Sequence, residues 1–127
     1  RRYLEQGISV GLGSDVAAGT SLSMFRAMAM AIQCSKLRWR LINQSLAPLT
    51  VSEAFYLATK GGGAFFGKAG SFEKGYEFDA VVLDDAEIRS PRRLTVKERI
   101  ERLLYLAEDR YITAKYICGR EIFSKVF

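Results

Sequence analysis

A short apolar run followed by a long helical pattern constrains the fold of this chain more than any other feature. The run extends from Ile8 to Leu12, and the helical pattern extends from Ser21 to about Ile42. Large apolar residues lie near helical spacing within it, namely Phe25, Met28, Ile32 and Trp39. A strand followed by such a helix is half of a βαβ unit, which requires a parallel sheet or barrel. The pattern therefore predicts an α/β fold whose other strands lie outside this chain.

Length and composition are those of a globular protein with one core. The chain has 127 residues and is 49% hydrophobic. It has no apolar run of about 18 residues and no signal-peptide pattern, so we expect a cytoplasmic protein without a membrane partner. It starts at Arg1 without a methionine, in what reads as the end of a helix from Arg1 to Gln6. We therefore expect a piece of a longer protein.

Histidine and cysteine usage limits the chemistry that this chain can perform by itself. It contains no histidine, which excludes within it a Ser/His/Asp triad, a Cys/His nucleophile and a metal site that uses histidine. Its two cysteines, Cys34 on a predicted helix and Cys118 on a predicted strand, have no CxxC spacing. They are expected to be reduced thiols with a structural role.

The net charge of +5 does not by itself indicate a nucleic-acid partner. Glu98 and Glu101 interrupt the main basic stretch, and no aromatic residues are interleaved for base stacking. We interpret the stretch as a solvated helix face with its leading loop, and we expect no nucleic-acid binding. The basic residues concerned are Arg89, Arg92, Arg93, Lys97, Arg99 and Arg102.

The remaining elements are predicted from capping, turn and strand patterns. Thr50 and Thr95 each precede a glutamate by three residues, so each predicts a helix that opens with a capping box. The glycines from Gly61 to Gly63 are expected to stop the first of these helices, with a short helical turn after them. The strand-like segments, in chain order, are a strand or bend from Gly70 to Gly75, a strand from Phe78 to Leu83, and a hairpin made of Tyr111 to Cys118, a turn at Gly119 and Arg120, and Glu121 to Phe123.

Asp15 is the candidate for chemistry. It follows the predicted strand after Gly11, Leu12, Gly13 and Ser14, and α/β enzymes keep their reactive groups beyond the carboxyl ends of strands. The helix that follows can be capped by Thr20 or Ser21, so Asp15 is not needed as a cap. On this pentapeptide alone, an ordinary loop aspartate is the alternative.

Several ordered motifs resemble the C-terminal third of the amidohydrolase superfamily. They are Val10-Gly11-Leu12-Gly13-Ser14-Asp15, Gly19-Thr20-Ser21, Leu49-Thr50-Val51-Ser52-Glu53-Ala54, Ala58-Thr59, Gly62-Gly63-Ala64, Gly70-Ser71-Phe72-Glu73-Lys74-Gly75 and Phe78-Asp79-Ala80-Val81-Val82-Leu83. Within the superfamily the chain is most similar to the members that deaminate guanine. The segments that carry this likeness are Ala54-Phe55-Tyr56-Leu57, Lys60-Gly61-Gly62-Gly63, Phe65-Phe66-Gly67-Lys68 and Tyr116 to Phe123.

The resemblance implies the end of a (β/α)8 barrel plus part of a small accessory β-domain. Residues 1–69 would hold the last barrel strand, the last barrel helix and the helices after it, and residues 70–127 would belong to the β-domain together with one helix. Asp15 would bind a catalytic zinc ion and relay protons, while the other zinc ligands would lie upstream.

The activity that the resemblance implies is hydrolysis of guanine to xanthine and ammonia, in a homo-oligomer that includes the rest of the parent chain. Two alternatives stay open at this point. One is another aminohydrolase of the superfamily, acting on a cytosine, triazine or adenosine-type substrate. The other is a non-catalytic structural module.

Overall fold

The computed structural model describes residues 1–15 and 18–126, so Phe127, the last residue of the second predicted unit, lies outside the described residues. Helices α1 to α5 span Arg2–Glu5, Met24–Leu41, Val51–Ala58, Lys60–Gly63 and Val96–Leu106, and 3-10 turns span Ala64–Phe66 and Asp109–Tyr111. Strands β1 to β3 span Ala80–Leu83, Ile112–Ile117 and Arg120–Ser124. In the described ranges, no helix combines the length and the apolar character that crossing a membrane requires.

Helix α2 is the long predicted helix, but it begins later than its sequence pattern indicates. Its N-cap is Ser23, whose side chain makes no capping hydrogen bond, so the prediction of a cap at Thr20 or Ser21 was wrong. The Ser21 hydroxyl instead accepts a hydrogen bond from the Ser23 amide at 3.1 Å. A serine that bonds locally two residues ahead forms a turn that competes with helix initiation. The first helical residue is therefore Met24.

Helix α3 begins with the predicted capping box. The Thr50 hydroxyl accepts from the Glu53 amide at 3.2 Å, and the Thr50 amide donates to the Glu53 carboxylate at 2.8 Å. Arg1 also donates to that carboxylate at 2.5 Å and to the carbonyl of Pro48 at 3.1 Å. Partial burial raises the pKa of Glu53, but the hydrogen bonds from Thr50 and Arg1 outweigh it and leave the pKa below its usual value. The start of α3 is thus tied to the start of the chain.

The core lies among α2, α3 and α5. It consists of Met28, Ile32, Leu49, Ala54, Leu57 and Leu104, and Phe25 packs against it. Trp39 was also expected on the apolar face of α2, but it is 37% exposed and its indole N–H donates to the Gln44 carbonyl at 3.1 Å. Trp39 lies near the C-terminal end of α2, where an indole can satisfy its donor in the following loop.

The C-terminal strands form an antiparallel sheet in the order β1-β2-β3. The predicted strand from Phe78 is shorter than expected and starts at Ala80. The hairpin between β2 and β3 is confirmed, although its turn lies at Cys118 and Gly119, one residue earlier than predicted. Both turn residues have positive φ, of 49° and 76°, which is the backbone of the tight turns that match strand twist. Cys118 is therefore a turn residue and not part of a strand.

Two other predicted segments lack a strand ladder. Residues 70–75 form bends and a turn, with positive φ at Gly70 and Gly75. Residues 8–12 are also outside any sheet, because a ladder needs a neighbouring strand and none of the described segments pairs with them. The helical conformation predicted for Arg1 to Gln6 is present as α1, after which the Ile8 amide donates to the Tyr3 carbonyl at 3.0 Å.

Helix α5 begins with the second predicted capping box and supports a prediction about acid stability. The hydrogen bond from Arg92, followed by those from the Thr95 amide and hydroxyl, lowers the pKa of Glu98 from 4.5 to about 2. Because the folded-state pKa is lowered, this charge stabilises the fold fully above about pH 4.5, and the effect is lost as the pH falls towards about 2. Glu98→Gln retains the cap but removes the charge. In urea unfolding, the variant should have a lower free energy of unfolding than wild type near neutral pH and the same free energy near pH 2. A difference that does not change with pH would contradict this assignment.

Candidate active site

The segment that leads to Asp15 lies directly on a turn made of glycines. A Cβ atom added to Gly61 would lie 2.8 Å from the Val10 carbonyl oxygen, and one added to Gly11 would lie 2.8 Å from the Gly62 Cα. The Leu12 amide also donates to the Leu57 carbonyl at 2.9 Å. Backbones approach this closely only where side chains are absent. Residues 8–12 are therefore seated on the junction of α3 and α4.

This contact corrects the role predicted for the three glycines. Helix α3 ends at Ala58, and the backbone leaves the helical region at Thr59, with φ −120° and ψ −97°. Gly61 to Gly63 then form most of α4, so they do not stop the helix. The predicted helical turn after them is confirmed as the 3-10 turn Ala64–Phe66. The glycines admit a neighbouring backbone, which a helix-breaking pattern does not reveal.

Asp15 lies three residues beyond Leu12 and has an unusual backbone conformation. Its φ is 50°, in the left-handed region that aspartate tolerates better than most residues. Its carbonyl accepts hydrogen bonds from the amides of Ala18, at 3.1 Å, and Gly19. A Cβ on Gly19 would collide with the carbonyl oxygens of Ser14 and Asp15. The Asp15 carbonyl is thus held by backbone hydrogen bonds, and position 19 requires glycine.

The carboxylate of Asp15 is available for an external ligand. Asp15 is exposed, and within residues 1–15 and 18–126 its side chain has no hydrogen bond or ion pair. The same residues contain no group of three or more His, Cys, Asp or Glu side chains that could hold a metal ion. Aspartate oxygen is an ordinary zinc ligand. The described residues of the site therefore supply one metal ligand, the carboxylate of Asp15.

Three arginines of the basic stretch around α5 make local contacts. Arg99 donates two hydrogen bonds of 2.7 Å to Asp85, and Arg92 pairs with Glu98 at 2.5 Å. Arg102 donates to the Arg89 carbonyl at 2.7 Å. These exposed pairs tie the loop before α5 to the helix, as expected for a solvated helix face.

Both cysteines are exposed, and neither forms a disulfide among the described residues. Cys118 sits on the hairpin turn, where its amide donates to Asp79 at 2.8 Å. Desolvation, then the nearby charges of Glu77 and Asp79, raise the pKa of the Cys118 thiol. A thiol in such surroundings is a weak nucleophile at neutral pH. Neither cysteine lies in the segment that carries Asp15.

The model of the Amidohydrolase family matches residues 1–122. The chain belongs to the amidohydrolase family. This amidohydrolase chain is 36% identical over 129 residues to a guanine deaminase of Dictyostelium discoideum, covering 96% of this chain and 28% of that protein. It is 37% identical over 131 residues to the guanine deaminase of Homo sapiens, covering 94% of this chain and 28% of that protein.

Solved structures agree with these relatives. The crystal structure of guanine deaminase from C. acetobutylicum, with guanine bound in its active site, matches with a TM-score of 0.90 and 51% identity, covering 96% of this chain and 29% of that chain. E. coli guanine deaminase matches with a TM-score of 0.80 and 28% identity, covering 98% of this chain and 30% of that one. This amidohydrolase chain thus spans under a third of the length of these relatives.

Proposed function

We propose that this chain is the C-terminal part of a zinc-dependent guanine deaminase, which converts guanine and water to xanthine and ammonia. The observation that carries the proposal is the likeness to a deaminase structure that holds guanine, at 51% identity and a TM-score of 0.90. In this proposal residues 8–12 are the last strand of a (β/α)8 barrel and α2 is its last helix. The rest of the barrel, and the other subunits of a homo-oligomer, complete the protein.

Asp15 is the residue of this chain to which we assign chemistry. Zinc, when bound, lowers the pKa of water to about 7. When water adds to the purine carbon that carries the amino group, the Asp15 carboxylate accepts the proton that the water loses. The protonated Asp15 can return this proton to the amino nitrogen, so that the C–N bond breaks and the group leaves as ammonia. Because the aspartate side chain is short, this proton transfer takes place close to the end of residues 8–12, which pack on α4.

Asp15 would also be one of the zinc ligands. A catalytic zinc site uses about three protein ligands and one water, and Asp15 can supply one or two oxygens. The remaining ligands, histidines included, are assigned to earlier strands of the parent protein. Ser14, which is half-buried beside Asp15, shapes the loop in this proposal.

Ammonia release by the full-length parent tests the proposed substrate. The purified protein is incubated separately with guanine, cytosine and adenosine, and ammonia is measured over time. We expect guanine to be the preferred substrate. Preference for cytosine or adenosine would replace guanine deamination with another aminohydrolase activity, and no release from any of them would leave a structural role.

The isolated 127-residue chain should be inactive. It offers Asp15 but not the other ligands, so we expect that it neither retains one zinc per chain after dialysis nor releases ammonia from guanine. Elemental analysis of the dialysed protein measures the first quantity. Zinc bound at one equivalent would show that this chain alone contains a complete metal site.

A further inference from the structure

Where residues 8–12 contact α4, the glycines of α4 differ in how much space surrounds them. At Gly61 an added Cβ would lie 2.8 Å from the Val10 oxygen and 3.1 Å from the Tyr56 oxygen. Both are backbone atoms, which cannot rotate away. At Gly62 the nearest atom is the Leu57 oxygen at 3.4 Å, an ordinary van der Waals distance. Two adjacent glycines of one helical turn thus differ in whether a methyl group fits.

Gly61 is also buried, and the segment that it contacts leads directly to Asp15. Besides this contact, the Leu12 amide is bonded to the Leu57 carbonyl at the end of α3. A methyl group at position 61 would push Val10 away from α4 and strain the Leu12 bond. Four residues lie between Val10 and Asp15, and these include the bonded Leu12. A displacement of residues 8–12 relative to α4 is therefore transmitted to the Asp15 carboxylate through a short stretch of backbone.

We propose that Gly61 is a positioning residue for Asp15: it sets the distance between α4 and residues 8–12, and so the place of the Asp15 carboxylate. This inference rests on the proposed function, since it takes Asp15 as the group that binds zinc and moves the proton. Groups that orient a metal ligand typically change metal affinity or activity by about 10–100-fold when altered. An error of about 1 Å in catalytic placement can cost about 10²-fold in rate.

The test compares Gly61→Ala with Gly62→Ala in the full-length parent, because the change is identical and only the first meets backbone atoms. Three quantities are measured: zinc affinity by competition with a chelator, the hydrogen-exchange rate of the Leu12 amide, and kcat with guanine. For Gly61→Ala we expect zinc affinity and kcat to fall at least 10-fold and Leu12 exchange to accelerate at least 10-fold. Gly62→Ala should match wild type within about 2-fold in all three.

A purely structural role for Gly61 predicts a different result. Thermal stability would fall, while zinc affinity and kcat of the folded protein would stay at wild-type values, and this outcome would overturn the proposal. If Gly61→Ala does not fold, Gly11→Ala is measured in its place, since its methyl group meets the Gly62 Cα from the other side of the contact. If both variants fail to fold while Gly62→Ala is unaffected, the contact between residues 8–12 and α4 serves folding alone, and the proposal is overturned.

The positioning role and the proposed substrate can fail separately. A wild-type parent that releases no ammonia from guanine would overturn the substrate. In that case the difference in zinc affinity and in Leu12 exchange between the two alanine variants would still decide the role of Gly61.

Discussion

Replacing Asp15 with asparagine in the full-length parent is expected to lower kcat for guanine deamination at least ~100-fold, the usual size of lost acid–base catalysis. The amide has nearly the shape of the carboxylate but cannot accept the proton of the attacking water. Folding should change little, because the Asp15 side chain has no partner among the described residues and asparagine also tolerates the left-handed backbone observed here. Steady-state rates of ammonia release, with circular dichroism on the same samples, measure both parts of the expectation.

A matched control for this variant is Asp84→Asn, the same chemical change at an exposed carboxylate after β1. The Asp84 side chain accepts a hydrogen bond from the Ala86 amide at 2.9 Å, and an asparagine oxygen can do the same. The control should retain wild-type turnover. Near-normal turnover of Asp15→Asn would remove Asp15 from the proposed mechanism.

Truncation of Ile32 to alanine is expected to destabilise the protein by about 2–5 kcal/mol, the range for large-to-small changes in a packed core. Ile32 is 1% exposed, the lowest value of any large side chain in the described core, and it lies where α2 meets α3 and α5. The loss combines removal of buried apolar surface with the cavity that the truncated side chain leaves. Urea unfolding of wild-type and variant protein gives the difference directly.

Gln33→Ala is the corresponding control, since Gln33 is exposed and next to Ile32 on the same helix. Alanine is the better helix former, so we expect a change within about 0.5 kcal/mol. A loss below about 1 kcal/mol for Ile32→Ala would mean that the core around α2 can repack.

The elements that the sequence predicted correctly are those set by local chemistry. Thr50 and Thr95 each begin a helix with a capping box because the hydroxyl, the amide and the glutamate involved lie within four residues. The hairpin of β2 and β3 likewise depends on a two-residue turn. Its boundary was misplaced by one residue because cysteine at position 118 adopts a positive φ, which its residue type does not suggest.

Features set by distant neighbours were harder to predict. Residues 8–12 have strand-like composition, yet a ladder needs a neighbouring strand, and none of the described residues supplies one. The close backbone contact at Gly61 depends on the approach of Val10, which lies fifty-one positions earlier in the sequence. Its only local signal is that glycines cluster after an apolar helix. Asp15 was selected by its place after an apolar run, and its chemical role remains a prediction.

The strand order β1-β2-β3 has a consequence for how the sheet assembles. Strands β2 and β3 meet through a tight turn, whereas β1 reaches β2 only after residues 84–111 have been closed into a loop. Closing the longer loop carries the larger entropic cost, so the hairpin should form first and β1 should add to it later. During synthesis, Val81 and its neighbours have no strand to pair with until their partners in β2, Lys115 among them, have been made. Until then β1 exposes an unpaired edge, which makes this interval the one most open to mispairing between nascent chains.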